Sequence, residues 1–222
     1  MGVLYEYFAS GMVESGIRQF GGDDCYNEIP PLYHWAVTLF FGFLSIYFVW
    51  FWRNSLADAK TIVKRLKPNL LEKLCFWVGL VSWILTLYYK VVTKRGLFIL
   101  NPCHVALFLM LFLLGAEDSS SIFMRRFHTA WTAWLLGPFG AITWPHLEDI
   151  STFEFVLYYV EHLVILPIGP LVLHRRYGNT FPAFKNQIAS FGTILAFQTL
   201  VLMPISRALK VNLNFTLCHS PE

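Results

Sequence analysis

The chain has 222 residues, of which 56% are hydrophobic and only 14% are charged, and its formal net charge is +3. Because a soluble domain carries roughly 25% charged residues, this composition excludes an ordinary globular protein in water. The basic residues are spread along the chain, whereas a nucleic-acid-binding protein would cluster them on one face. The composition predicts an all-α, polytopic membrane protein, since a helix satisfies its own backbone hydrogen bonds in hydrocarbon.

Six apolar stretches predict a bundle of about six transmembrane helices, each needing ~20 apolar residues to cross the bilayer. They lie at 31–52, 71–89, 97–115, 124–143, 152–173 and 186–206. Pro102 interrupts the third stretch and Gly137-Pro138 interrupts the fourth. Such breaks are tolerated in membranes where other protein groups satisfy the freed backbone.

The distribution of Lys and Arg predicts the orientation of these spans. The loop 53–73 holds six of these residues and other loops on the same side add five, against six on the opposite side. Because basic residues accumulate in the cytosol, both termini are expected in a lumen or outside the cell, with the endoplasmic reticulum as a candidate membrane. The expected parts are a lead-in at 1–30, a transmembrane domain at 31–206 and a lumenal tail at 207–222.

Two features of the termini agree with this orientation. Cys25 and Cys218 both fall on the oxidising side, where they either form a disulfide or remain two free thiols. Asn214 begins an Asn-Phe-Thr glycosylation sequon on the same side, although it lies close to the last span.

The stretch Asn101-Pro102-Cys103-His104 offers a candidate nucleophile. Asn is a good N-cap and Pro suits the first helical position, so Cys103 is expected in the first turn of a helix. The positive end of the helix dipole favours a thiolate there, and the first N–H groups could stabilise an oxyanion. The alternative is that Cys103 is a small apolar residue of a membrane helix.

His162 in the fifth span is the candidate base, because ionisable residues inside a membrane are costly and usually functional. Glu154, Tyr158 and His162 recur every four residues on one helix face, so Tyr158 could hydrogen-bond the imidazole and Glu154 could act indirectly. At ~1.5 Å per residue, Cys103 lies ~9 Å and His162 ~15 Å from the lumenal edge, whereas His128 lies ~24 Å from it. A structural hydrogen bond between helices is the alternative role for His162.

Four segments of the chain resemble the transmembrane protein 164 family. They are Gly21-Gly22-Asp23-Asp24-Cys25, LFILNPCHV around Cys103, YYVEH ending at His162, and VNLNFTLC ending at Cys218. The most specific is Asn-Pro-Cys-His-Val, and its order relative to the later Tyr-Tyr-x-x-His strengthens the resemblance, which extends over nearly the whole chain.

The resemblance implies a cysteine-dependent acyltransferase that moves polyunsaturated acyl chains onto ether-linked phosphatidylethanolamine, an activity linked to ferroptosis. It implies a fold similar to that of the androgen-induced gene hydrolases of fatty-acid esters. Cys103 and His162 match the family's cysteine and histidine, and His128 matches a further family histidine. Family members continue with one more span after the Leu-Cys segment, so a seventh helix is expected to be missing here, which would weaken or inactivate the fold.

Two other functions fit the same sequence. A lipid ester hydrolase would use the same cysteine and histidine with water as the acceptor, and a transporter, receptor or scaffold would use neither for catalysis. The acyltransferase needs no metal or soluble cofactor, and the four cysteines form no CxxC pair of the kind found in zinc sites. Its expected partners are the bilayer, phospholipid donors and lysophospholipid acceptors, without nucleic acid; no oligomeric state is predicted.

Overall fold

The protein is all-α, as the composition predicts. The computed structural model describes residues 5–17, 20–52, 67–116, 121–145, 150–177, 184–216 and 218. Within these ranges the regular structure is helical, and the one β-type pairing is an isolated bridge between Gly21 and Val211. Short helical turns at Glu6–Ser10, Gly11–Val13 and Asp23–Glu28 form the lead-in.

Two long apolar helices come first. Helix α1 spans Pro31–Trp52 and helix α2 spans Leu70–Val92. Large apolar side chains such as Phe43 and Trp50 are exposed along α1, which is expected of a helix whose solvent is lipid. By length and composition four segments of the described chain could cross a membrane: Pro31–Phe51, Leu70–Val92, Thr152–Tyr177 and Asn186–Leu209.

The third predicted span is shorter than its sequence suggests. Helix α3 spans Pro102–Gly115, while Gly96–Leu100 form a separate 3-10 turn. The prediction of a helix from residue 97 is therefore wrong, because Pro102 has no N–H to continue a helix but fits its first position. With 14 residues, α3 is ~21 Å long at ~1.5 Å per residue, less than the ~30 Å hydrocarbon core.

The fourth predicted span is two helices. Helix α4 spans Ile122–Trp134 and helix α5 spans Leu136–Thr143. Pro138 lacks the N–H that would bond the carbonyl of Trp134 four residues earlier, which explains why the first helix ends there. Among the described residues, four helices are long and apolar enough to cross a membrane, and shorter helices form the third and fourth predicted spans.

The last two long helices each contain a π-helical segment. Helix α6 comprises Thr152–Leu163, a π segment at Val164–Ile168, and Gly169–Tyr177. Helix α7 comprises Phe184–Phe197, a π segment at Gln198–Leu202, and Met203–Leu209. Pro167 lies inside the first π segment, where the wider turn accommodates its missing N–H.

The chain forms two compact units. Unit 1 contains Met1–Ile46, Leu87–Asn101 and Leu195–Glu222, and unit 2 contains Tyr47–Thr86 and Pro102–Ile194. The core of unit 1 includes the buried side chains of Met12, Leu202 and Leu213. The sequence-based boundaries at residues 30 and 206 remain predictions.

Helix α3 is central to unit 2, where it packs against α4, α5 and α6. Its Leu107 and Met110 side chains are fully buried. A hydrogen bond also fixes Trp131 of α4 to the backbone of α3, since its Nε1 donates to the carbonyl of Ala106 at 2.9 Å. A helix in this position can hold a reactive group at its end in a defined place.

Candidate active site

Cys103 is the second residue of α3, directly after Pro102. Its side chain is half-buried. The first N–H groups of a helix have no acceptor within that helix, and the helix dipole is positive at this end. The predicted place of Cys103 in the first turn of a helix is confirmed, and N–H groups at this end are available to a neighbouring oxyanion.

Helix α5 approaches the start of α3 closely at Gly137. A Cβ atom at this position would lie 2.9 Å from the Cβ of Pro102 and 3.9 Å from the amide nitrogen of Cys103. A side chain at residue 137 would force one of the two helices to move. Glycine thus allows α5 to form one wall beside the cysteine.

Asn101 precedes α3 in the extended conformation of a capping residue, but the predicted cap hydrogen bond is not formed. Its Oδ1 is buried and has no hydrogen-bond partner in the described part of the chain. The direction of its backbone is set by the preceding 3-10 turn, where the N–H of Asn101 donates to the carbonyl of Phe98 at 3.0 Å. The side chain of Asn101 therefore does not cap α3.

His162 lies on α6 and is only 1% exposed. Its Nδ1 is 2.6 Å from the carbonyl oxygen of Tyr158, and because a carbonyl only accepts, Nδ1 carries the proton. The neutral ring then holds its lone pair on Nε2. That atom is buried and, among the described residues, has no hydrogen-bond partner. The imidazole is thus held in the tautomer that a general base requires.

Tyr158 orients the imidazole differently from the prediction. The hydroxyl of Tyr158 donates a short hydrogen bond to the carbonyl of Ala141 in α5, so it does not bond His162. The backbone carbonyl of Tyr158 and its ring, whose centroid is 4.1 Å from that of His162, hold the histidine instead.

A second polar cluster joins α3 and α6, with a further contact from α2, and sequence reasoning missed it. His104 Nδ1 lies 2.9 Å from Oε2 of Glu161, and Thr86 donates to Oε1 of Glu161 at 2.7 Å. Glu161 is 1% exposed. A carboxylate in an apolar helix was the available signal, because a charge there needs a partner.

The structure gives the other two candidate residues different surroundings. Glu154 is in the first turn of α6, where its N–H donates to Oγ of Ser151 at 3.2 Å, so it belongs to the helix start. His128 is buried and stacks on Tyr177, whose hydroxyl donates to the carbonyl of Leu113. Leu113 is ten residues beyond Cys103 on α3, or ~15 Å along the axis.

The arrangement provides the parts of a thiol-based acyl-transfer site. Helices α3 and α6 pack together, and they carry Cys103 and His162 respectively. In the ranges that the structure describes, no group of three or more His, Cys, Asp or Glu side chains is placed to hold a metal ion. Together, Cys103 and His162 could supply nucleophilic and acid–base chemistry.

A disulfide joins Cys25 to Cys218 in unit 1, which is the pairing that the sequence left open. The side-chain amide of Asn212 makes two hydrogen bonds of 3.3 Å to the backbone of Cys218: its Nδ2 donates to the carbonyl, and its Oδ1 accepts from the N–H. Lys210 donates to Asp23 at 2.5 Å, and this hydrogen bond and the carboxylate's charge raise the pKa of the lysine. The tail is thereby attached to the lead-in at several points.

The glycosylation sequon is folded into this tail. Asn214 is exposed with φ 49°, and its Nδ2 donates to Oε1 of Gln198 at 3.0 Å. Thr216 is buried, and its Oγ1 lies 2.6 Å from Oγ of Ser206. Both sequon side chains therefore have intramolecular roles.

Comparison with known proteins identifies the family. No solved structure matches the chain, so the expected similarity to the fold of the androgen-induced gene hydrolases stays a prediction. The TMEM164 (transmembrane protein 164) family model matches residues 30–222, a range that includes Cys103, His162 and the second disulfide cysteine. The chain therefore belongs to the TMEM164 family.

Proposed function

We propose that this protein is a membrane-embedded acyltransferase in which Cys103 is the nucleophile and His162 the general base. The observation that carries the proposal is the state of His162, whose Nδ1 is held by a carbonyl and whose buried Nε2 has no hydrogen-bond partner among the described residues. This histidine lies on a helix that packs against the one beginning at Pro102. A base in this tautomer, on a helix that packs against one with a thiol in its first turn, supports cysteine-dependent acyl transfer.

In the first half-reaction His162 takes the thiol proton of Cys103. The thiolate then attacks the ester carbonyl of a phospholipid, and the N–H groups at the start of α3 are available to stabilise the oxyanion. The ester C–O bond breaks, the imidazolium returns its proton to the leaving oxygen, and a lysophospholipid departs. The acyl chain remains on Cys103 as a thioester.

In the second half-reaction a lysophospholipid hydroxyl attacks this thioester. His162 accepts the hydroxyl proton, the new ester C–O bond forms and the C–S bond breaks. The proton then returns to the sulfur or remains on the base for the next cycle. Each step uses only the two lipids and the two side chains, so no metal or soluble cofactor is required.

The substrate class rests on the family and on the membrane setting. Both acyl donor and acceptor are lipids that reach a site inside apolar helices, and membership of the TMEM164 family supports ether-linked lysophosphatidylethanolamine as the acceptor. Ester hydrolysis shares the first half-reaction and differs only in its acceptor, which would be water.

One assay separates acyl transfer from hydrolysis. Membranes containing the protein are given a phospholipid with a labelled polyunsaturated acyl chain, with and without ether-linked lysophosphatidylethanolamine. We expect the label to appear in ether-linked phosphatidylethanolamine only when the acceptor is added. Release of labelled free fatty acid at the same rate in both conditions would contradict acyl transfer and identify a hydrolase.

The His162→Gln substitution tests the assignment of the base. General-base catalysis is worth roughly 10²–10⁴-fold in rate, so we expect the rate of acyl-thioester formation to fall by about that factor. The His128→Gln variant is the comparison, because His128 is equally buried but lies near the far end of α3. Rates normalised to folded protein should fall strongly only for His162→Gln; a larger fall for His128→Gln would reverse the assignment.

A further inference from the structure

Glu161 is a buried carboxylate that the two half-reactions do not use. It lies within Thr152–Tyr177, one of the four segments apolar enough to cross a membrane, and it is 1% exposed. Placing a charge among apolar helices is costly unless partners compensate it. A residue kept at such a cost is expected to do something that an apolar residue could not.

Its partners explain how the charge is held. Oε2 of Glu161 lies 2.9 Å from Nδ1 of His104, which is 12% exposed, and Oε1 accepts a hydrogen bond of 2.7 Å from Thr86. Both carboxylate oxygens are therefore occupied, by side chains from α3 and α2. Because a charge-assisted hydrogen bond is short and directional, it fixes the relative position of the helices that it joins.

The two ends of this hydrogen bond are the sequence neighbours of the two proposed catalytic residues. His104 follows Cys103 at the start of α3, and Glu161 precedes His162 on α6. Sequence neighbours on a helix differ by ~100° in direction, so the pair can join the helices on one side while leaving the thiol and the imidazole on another.

We propose that His104, Glu161 and Thr86 form a positioning clamp that sets the height and rotation of Cys103 relative to His162. This inference rests on the proposed function of that pair. In this proposal the clamp residues neither take nor give a proton in the two half-reactions. They act by restricting how far α3 can slide or rotate against α6, since a misplacement of ~1 Å can cost about 10²-fold in rate.

The first test is the Glu161→Gln substitution. Glutamine keeps the shape and can still accept from Thr86, but it removes the charge that binds His104. We expect the maximal rate of acyl-thioester formation on Cys103 to fall by roughly 10–100-fold, while the donor lipid concentration at half-maximal rate changes less than about twofold. A residue that only supports folding would instead lower the amount of folded protein and leave the rate per folded molecule unchanged.

The structure offers a matched control in the same unit. Glu72 is also a buried carboxylate, and its Oε1 accepts from Arg175 at 3.0 Å. It lies 14 residues before Thr86 on α2, or ~21 Å along that helix. We expect Glu72→Gln to lower thermal stability at least as much as Glu161→Gln, without changing the rate per folded molecule.

Further variants of His104 test whether the clamp residues act as one unit. In His104→Asn the side-chain amide can replace the Nδ1 donor, so we expect it to retain more activity than His104→Ala. The double variant His104→Ala/Glu161→Gln should be no slower than the slower single variant, because both substitutions remove the same interaction. Multiplication of the two single losses would overturn the proposal.

The pH profile separates positioning from catalysis by His104. With His162 as the base, His104→Asn should keep the acid limb of the pH–rate profile within about 0.3 pH unit of wild type. Loss of that limb would make His104 the base and refute the clamp. Normal acyl-thioester formation in Glu161→Gln would also refute the clamp but leave the acyltransferase intact, whereas an unacylated Cys103 in the wild type would refute the proposed function itself.

Discussion

Replacing Cys103 with alanine is expected to abolish acyl transfer between phospholipids. The substitution removes the sulfur atom that forms the thioester. Removing a catalytic nucleophile typically lowers the rate by roughly 10³-fold or more. Because alanine is smaller than the half-buried cysteine at this helix position, the fold should be retained. The measurement is labelled product in membranes supplied with donor and acceptor lipids, normalised to folded protein.

Cys75 provides the matched control for this result. It is buried on α2 in the same unit and is not part of the disulfide. A buried structural cysteine is inert, so Cys75→Ala should retain transfer activity. Product formation by Cys103→Ala at the wild-type rate would remove the cysteine from the mechanism.

Breaking the disulfide between Cys25 and Cys218 is expected to cause the largest loss of stability. The two cysteines are 193 residues apart in sequence, so the bond restricts nearly the whole unfolded chain. Removing a native disulfide typically costs ~2–5 kcal/mol, and the chain-entropy relation places long loops at the upper end. The Cys25→Ser variant should therefore unfold at a clearly lower temperature in detergent.

Reduction of the wild-type protein gives an independent control for the same bond. A reducing agent should lower the unfolding temperature of the wild type to that of Cys25→Ser, and it should leave the variant unchanged. The Cys25→Ser/Cys218→Ser double variant should match the single variant, because the same bond is lost in each. An unfolding temperature unaffected by either treatment would show that the hydrogen bonds around Cys218 suffice without the disulfide.

The sequence predicted the helical class and the long spans, and it failed where proline sets a boundary. The apolar runs behind α1, α2, α6 and α7 are long enough to identify on their own. In the third stretch the apolar run starts before Pro102, but the helix begins only at that residue. In the fourth stretch the helix breaks after Trp134, whose carbonyl the missing N–H of Pro138 would have bonded. Hydrophobicity alone therefore overestimates helix length wherever a missing N–H ends the hydrogen-bond ladder.

The candidate site was predictable in part. A cysteine after Asn-Pro and a histidine in an apolar span are unusual enough to select Cys103 and His162 from one sequence. The pairing of His104 with Glu161 was not predictable, because it depends on the rotation of α3 against α6. A glutamate in an apolar span indicates that a partner exists, but only the tertiary structure identifies that partner.

Direct analysis of Cys103 is the measurement that tests the central claim most closely. Protein incubated with a phospholipid donor, without acceptor, is digested and the peptide containing Cys103 is examined by mass spectrometry. We expect the added mass of one acyl chain on this cysteine, released by hydroxylamine and removed when a lysophospholipid is supplied. Acyl transfer that proceeds while Cys103 stays unmodified, or while the acyl group sits on another residue, would contradict it.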